Sequence, residues 1–180
     1  QITFCKKNKE LEGKTIEQAA ELRRTDPFTA AFDLLVEEET AVSMVIHYLS
    51  EDDVRTVMRH PATMIGTDGL MVGNPHPRVY GTYPRILGRY VRDEKVLTLE
   101  DAVRKMTSLP AQRLGLQDRG LIRPRMFADI AVFNPRTITD KATYEKPHQY
   151  PVGVEYVVVN GAVVLEKGEV KETLPGKVLR

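Results

Sequence analysis

A strand–helix–strand pattern in the first half of the chain constrains the fold more than any other feature. Residues 41–48 (AVSMVIHY) are nearly continuous in apolar and β-branched side chains, which is typical of a strand buried on both faces. The capping-box sequence Ser50-Glu-Asp-Asp53 then opens a helix that we expect to end near Arg59, because Pro61 cannot continue it. Residues 62–66 (ATMIG) form a second apolar run. The sequence therefore predicts two adjacent parallel strands from an α/β sheet or barrel.

Local signals extend this prediction to the rest of the chain. Capping residues precede several helical patterns, and Asn160-Gly161 between two apolar runs is a strong hairpin signal. The expected elements are helices that start after Thr15, Asp26, Ser50 and Thr98, helices over 83–93 and 110–114, and strands over 129–133, 153–159 and 162–165.

Side-chain spacing predicts a buried face for one helix and an unusual path for one connection. Phe28, Ala31, Phe32 and Leu35 follow the i, i+3, i+4, i+7 spacing and are expected to form the buried stripe of the second helix. The connection over 134–151 is too long for an ordinary loop, so we expect it to wrap over another surface.

Charge and composition exclude several classes of partner. Lysine plus arginine is 26 and aspartate plus glutamate is 25, so the formal net charge is only +1, which does not favour nucleic acid or an anionic membrane as a partner. No apolar run approaches the roughly 20 residues that cross a bilayer. Cys5 is the single cysteine, which favours a reducing, cytoplasmic location. The start at Gln1 shows no leader sequence, and we expect the chain to be part of a longer gene product.

Three residues in one loop are the leading candidates for chemistry. Asp68 closely follows the apolar run 62–66, at the place where parallel α/β folds present catalytic side chains, although an aspartate there could equally cap a turn. His76 and Arg78 lie further along in Asn74-Pro-His-Pro-Arg78, whose prolines stiffen the backbone. Either side chain is a candidate to bind a carboxylate, and a hydrogen bond that stabilises the loop is the alternative.

The other histidines do not complete a recognisable site. His47 is either directed into a barrel or buried in the core, His60 is suited to a helix end, and His148 has no neighbouring motif. A catalytic zinc site usually needs three protein ligands, and neither His-x-His nor His-Glu-x-x-His occurs in this sequence. By its motifs alone, the chain does not assemble an active site.

Taken together, short motifs along the chain resemble the N-acyl-D-amino-acid deacylases (D-aminoacylases) of the amidohydrolase superfamily. The resemblance extends from about Leu11 to Arg180. Its motifs are Ser50-Glu-Asp-Asp-Val-Arg55, His60-Pro61, Met64-Ile-Gly-Thr-Asp-Gly69, His76-Pro-Arg78, Gly81-Thr82 and Pro84-Arg85, followed by Pro110-Ala111, Arg113-Leu-Gly-Leu116, Arg119-Gly-Leu-Ile122, Ala128-Asp-Ile-Ala-Val-Phe133 and Val157-Val-Val-Asn-Gly161.

The resemblance implies zinc-dependent hydrolysis of the amide bond of an N-acyl-D-amino acid. Zinc would polarise the carbonyl and provide hydroxide, and Asp68 would be both a metal ligand and the general base that returns a proton to the leaving amine. His76 and Arg78 would bind the substrate, and Leu49 would line an apolar part of its pocket. The histidine and cysteine zinc ligands of the family have no match in this chain.

The same resemblance implies a fold and a division into domains. We expect an α/β protein in which residues 1–115 are the last two strands and helices of a TIM-like (β/α) barrel. Residues 116–180 would then be the C-terminal strands of a small β-sandwich domain. A complete barrel needs about 250 residues, so the isolated chain is expected to be inactive, to require the remainder of the barrel and to self-associate.

Two other functions stay open on the sequence. A cyclic amidohydrolase such as a dihydroorotase or hydantoinase shares the C-terminal motifs, although those enzymes usually place a histidine closer to the aspartate than His76 lies to Asp68. A non-catalytic fragment or interaction module that reuses the fold is the other alternative.

Overall fold

The computed structural model describes residues 1–179, which form two compact units. The first unit consists of residues 1–49, 68–80 and 142–149, and the second contains the remaining described residues. The strands are β1 (Ile2–Cys5), β2 (Val42–Met44), β3 (Ile130–Phe133), β4 (Val154–Val159), β5 (Ala162–Glu166) and β6 (Glu169–Val170). The helices are α1 (Ile16–Arg23), α2 (Pro27–Glu37), α3 (Glu51–Arg59), α4 (Arg78–Arg85), α5 (Leu99–Met106) and α6 (Ser108–Arg113), with a π-helical stretch over Ile86–Asp93 and a 3-10 turn over Lys9–Leu11.

The predicted helix starts are confirmed. The Thr15 side chain accepts the Gln18 backbone N–H, and the Gln18 side chain in return accepts the Thr15 N–H, which completes the capping box of α1. Asp26, Ser50 and Thr98 likewise accept backbone N–H groups at the starts of α2, α3 and α5. Across residues 1–179, no helix combines the length and apolar character that crossing a membrane requires.

The predicted pair of adjacent parallel strands is wrong for the described residues. Val42–Met44 pairs antiparallel with Ile2–Cys5, and residues 62–66 carry no strand. The Ile65 backbone N–H instead donates to the carbonyl of Lys105 at 3.1 Å. The predicted burial of 41–48 on both faces is wrong as well, since Met44 and Tyr48 are 68% and 75% exposed. A continuous apolar run does not specify which backbone completes its hydrogen bonds or which segment covers its side chains. That choice depends on segments far away in the sequence.

The predicted buried stripe of α2 is also wrong. Phe28 and Phe32 are 78% and 66% exposed and Leu35 is exposed, whereas Ala30 and Leu34 are buried. Helix α2 is apolar on more than one side, and the core of the first unit covers the side of Leu34. That core consists of Ile2, Cys5, Leu11, Ala19 and Leu34. The spacing therefore predicted the helix correctly, but the face that it predicted to be buried is exposed.

The second unit contains a helical core and an antiparallel sheet. Ile86, Leu87 and Tyr90 are buried in a core that also includes Met58, Val96, Leu97, Ala102 and Ile138. The strand order is β3-β4-β5-β6. The predicted hairpin is confirmed, because Asn160 (φ 47°) and Gly161 (φ 83°) form the left-handed turn between β4 and β5. Strand β6 was not predicted, although Lys167 and Gly168 form a second turn of the same kind.

The long connection over 134–151 packs against other parts of the chain, as predicted. Ile138 is buried, and its carbonyl accepts a hydrogen bond from the Arg92 guanidinium at 2.6 Å. The Asp140 carboxylate accepts a hydrogen bond from Arg85 at 2.9 Å. Residues 142–149 of this connection belong to the first unit, where they approach the candidate site.

A buried carboxylate fixes the N-terminal segment of the first unit. Glu38, just beyond α2, accepts hydrogen bonds from the backbone N–H groups of Lys7 and Asn8, both at 2.7 Å, and from the Asn8 side chain at 2.6 Å. Burial by itself would raise the pKa of this carboxyl. The donors from Asn8, Lys7 and Lys6 outweigh burial and lower the pKa from 4.5 to about 2. Folding is therefore coupled to the ionisation of Glu38.

We expect Glu38→Gln to lower the melting temperature by roughly 5 °C or more at pH 7, because an amide nitrogen would face backbone N–H donors. The lowered pKa means that Glu38 stabilises the fold above pH 4.5 and loses this contribution as the pH falls toward 2. The deficit of the variant should therefore shrink across that window in circular-dichroism melts. Glu37→Gln, at a partly exposed neighbour paired with Arg23, is the control. A deficit that does not change between pH 7 and pH 3 would contradict this role.

Candidate functional site

The structure brings Asp68 and Arg78 together in the first unit. The Arg78 guanidinium Nη2 donates to Asp68 Oδ2 at 2.7 Å, and the Asp68 side chain is 86% exposed. Asp68 has a φ of 44°, a left-handed conformation that aspartate tolerates better than most residues. Its carboxylate is therefore accessible to a ligand and lies beside a positive charge.

His76 is held by both of its ring nitrogens. Its Nδ1 accepts the backbone N–H of Arg78 at 3.0 Å, which satisfies a free donor at the start of α4. Its Nε2 lies 3.2 Å from the hydroxyl of Tyr144. Burial, followed by the charges of Arg78 and His47, lowers the pKa of His76, so the ring is neutral at neutral pH. The contact with Arg78 is the loop-stabilising hydrogen bond that the sequence left as the alternative for this residue.

Tyr144 is the residue of this cluster that sequence reasoning missed. Its ring makes edge-on contacts with the imidazoles of His47 and His76, with centroid separations of 4.7 and 5.1 Å. The Tyr144 carbonyl also accepts a hydrogen bond from the Asn74 side chain at 3.4 Å. The unusual length of the 134–151 connection was the one signal that pointed to this segment. Asp68, His76, Arg78, His47 and Tyr144 together are called the Asp68 cluster below.

The remaining candidate residues lie apart from these contacts. Leu49 belongs to the first unit and is 66% exposed, which leaves its apolar side chain available to a ligand. His60 ends α3, and its Nδ1 accepts the Ala62 backbone N–H at 3.3 Å, in agreement with a structural role. His148 contacts Tyr80, whose hydroxyl lies 3.2 Å from His148 Nδ1.

The described residues do not form a complete metal site. No group of three or more histidine, cysteine, aspartate or glutamate side chains within residues 1–179 is arranged to hold a metal ion. Asp68 provides one accessible carboxylate, which is a suitable oxygen ligand for zinc, but a catalytic zinc usually needs three protein ligands. Cys5 is buried, and burial together with Glu38 raises the pKa of its thiol, which disfavours the thiolate that would bind zinc.

Comparison with known proteins shows the family to which the chain belongs. The model of the amidohydrolase family matches residues 7–165. The chain is 38% identical over 180 residues to an N-acyl-D-glutamate deacylase and 40% identical over 179 residues to a D-aminoacylase, both from Alcaligenes xylosoxydans xylosoxydans. Each match covers 99% of this chain and 36% of the relative. The chain thus spans little more than a third of the length of these relatives.

A solved structure of a deacylase also matches this chain. The crystal structure of N-acyl-D-glutamate deacylase from Bordetella bronchiseptica, in complex with zinc and a phosphonate inhibitor that mimics the tetrahedral intermediate, matches with a TM-score of 0.92 at 38% identity. The match covers 100% of this chain and 37% of that structure. The mixed α/β fold of this chain is therefore that of the corresponding part of a deacylase.

Proposed function

The chain belongs to the amidohydrolase family, and we propose from this that it is part of an enzyme that hydrolyses the amide bond of N-acyl-D-amino acids. The observation that carries the proposal is the agreement with deacylases over nearly the whole chain, at 38–40% identity and a TM-score of 0.92. The substrate class comes from those relatives. The accessible acidic group beside an arginine is consistent with it.

We propose the following division of the chain. Residues 1–115 would be the C-terminal part of the (β/α) barrel, and residues 116–180 would be strands of the small β domain. The four-stranded antiparallel sheet over β3 to β6 supports the second assignment. The barrel part would obtain its missing strand partners from outside this chain, which is consistent with the absence of a strand over the apolar run 62–66 within the described residues.

In this proposal the Asp68 cluster accepts a proton and binds the substrate. Asp68 is the general base, which takes a proton from the attacking water and delivers it to the leaving amine. Its exposure allows this exchange, and Arg78 places a positive charge beside the carboxylate. Arg78 binds the substrate carboxylate, His76 holds Arg78 in place, and Leu49 contacts apolar parts of the substrate.

Zinc is the proposed cofactor, but the described residues provide only one of its ligands. Asp68 would be one ligand, and the others would come from outside this chain. The isolated 180-residue chain is accordingly expected to bind no zinc above background and to turn over no substrate. The proton transfers assigned to Asp68 are the part of the chemistry that this chain provides.

The test of the proposed function is hydrolysis by the protein encoded by the complete reading frame that contains this chain. We expect release of free amino acid from N-acetyl-D-glutamate, N-acetyl-D-aspartate or N-acetyl-D-leucine, and little from the L-enantiomers. Dihydroorotate and hydantoin serve as comparison substrates. Hydrolysis of these rings with no action on N-acyl-D-amino acids would overturn the proposal in favour of a cyclic amidohydrolase.

Exposed apolar side chains support the proposed partner surfaces. Phe28, Phe32 and Val36 of α2 are 66–78% exposed, and we propose that the remainder of the barrel covers them. In its absence the isolated chain should self-associate through such surfaces, which light scattering detects. Nucleic acid and membranes are not proposed as partners. A cytoplasmic location stays a prediction from the single cysteine.

A further inference from the structure

The Asp68 cluster includes a hydroxyl group to which the proposed chemistry gives no role. Tyr144 is 37% exposed, so a ligand can reach it. Its segment is well fixed, because Ala142 and Pro147 are buried and Thr143 bonds twice with Lys146 across a tight turn. The position of Tyr144 is therefore defined by packing.

The hydrogen bonds of His76 determine whether the Tyr144 hydroxyl donates to His76 or accepts from it. The backbone N–H of Arg78 donates to His76 Nδ1, so that nitrogen carries a lone pair and no hydrogen. The hydrogen of the neutral ring must then be on Nε2, which faces the Tyr144 oxygen at 3.2 Å. His76 is consequently the donor and Tyr144 the acceptor.

This arrangement leaves the Tyr144 O–H hydrogen available to another acceptor. Within the part of the chain that the structure describes, His76 is the one hydrogen-bond partner of this hydroxyl. The same imidazole accepts the backbone N–H of Arg78, and the charge of Arg78 acts on the His76 ring, so the guanidinium lies in this neighbourhood too. A hydroxyl donor near a guanidinium favours an anionic acceptor with two oxygens, namely a carboxylate.

We propose that Tyr144 is a further substrate-binding residue, whose hydroxyl donates a hydrogen bond to the carboxylate of the N-acyl amino acid beside Arg78. The proposal rests on the proposed function, because the carboxylate is the group that all N-acyl amino acids share. It gives residues 142–149 a role in binding substrate. His76 contacts the Tyr144 hydroxyl through Nε2 and the backbone of Arg78 through Nδ1.

The test compares Tyr144→Phe with the wild type in the protein encoded by the complete reading frame. Phenylalanine keeps the ring contacts with both histidines and removes only the hydroxyl. We expect the KM for N-acetyl-D-leucine to rise about tenfold while kcat stays within about twofold. Binding to the metal-free protein, measured by calorimetry, should weaken about tenfold for N-acetyl-D-leucine and remain unchanged for N-acetyl-D-leucinamide, which lacks the carboxylate.

Tyr80→Phe is the matched control. It removes a hydroxyl that contacts His148 in the same unit, also at 3.2 Å, and it should change neither KM nor affinity. One outcome is that the wild type hydrolyses N-acyl-D-amino acids while Tyr144→Phe weakens the binding of N-acetyl-D-leucine and of N-acetyl-D-leucinamide equally, or weakens the binding of neither. In that case the role of Tyr144 is overturned and the proposed function stands. If the wild type hydrolyses none of them, the proposed function fails, and the role of Tyr144 fails with it.

Discussion

Replacing Asp68 by asparagine is expected to lower kcat for N-acyl-D-amino acids by about 10²- to 10⁴-fold in the protein encoded by the complete reading frame. Asparagine has nearly the same shape and can still accept a hydrogen bond from Arg78, but its amide cannot take up a proton from water. A purely structural role of the Asp68–Arg78 ion pair predicts a much smaller loss, because this pair is largely exposed. Steady-state kinetics with N-acetyl-D-glutamate distinguish the two.

Asp93→Asn provides a matched control for this prediction. Asp93 is also an exposed aspartate that accepts a hydrogen bond from an arginine, here Arg92 at 2.8 Å, and it lies outside the Asp68 cluster. Its replacement should leave kcat within about twofold of the wild type. If Asp68→Asn retains more than a tenth of the wild-type kcat, Asp68 is not the general base.

Replacing Lys105 by methionine is expected to destabilise the chain by about 2–4 kcal/mol. The Lys105 side chain is fully buried, and its ammonium donates to the carbonyls of His60 at 2.5 Å and Thr63 at 3.2 Å. These carbonyls follow the last turn of α3, where a positive charge is favourable. Methionine fills similar space but leaves both partly buried acceptors without this donor. Urea unfolding of the protein encoded by the complete reading frame measures the loss.

Replacing the adjacent residue Arg104 distinguishes the effect of losing a buried charge from the effect of losing an exposed one. It lies on the same helix, and its guanidinium contacts Asp101 and the Pro61 carbonyl, but its side chain is 39% exposed. Arg104→Met should therefore cost less than about 1 kcal/mol. Equal unfolding midpoints for Lys105→Met and Arg104→Met would show that the buried ammonium contributes no more than a surface charge.

Sequence reasoning was most informative where the interacting groups are close together in the chain. Asp68, His76 and Arg78 were selected from one loop, and the structure joins Asp68 to Arg78 and His76 to Arg78. Their catalytic and binding roles stay predictions. Tyr144 lies 68 residues from His76, and no local pattern marks it as a neighbour. The sequence therefore predicted the site residues that lie in one loop and missed Tyr144, which is far from them in the chain.

The sequence by itself determined the helix starts at Thr15, Asp26, Ser50 and Thr98 and the hairpin at Asn160-Gly161. Each of these depends on hydrogen bonds or backbone conformations that are completed within a few residues. Only the tertiary structure decided that Leu34 and not Phe32 is buried on α2, that Val42–Met44 pairs antiparallel with Ile2–Cys5, and that Tyr144 reaches His76. The physical reason is that burial and strand pairing depend on which distant segments are present to cover a face or complete a ladder.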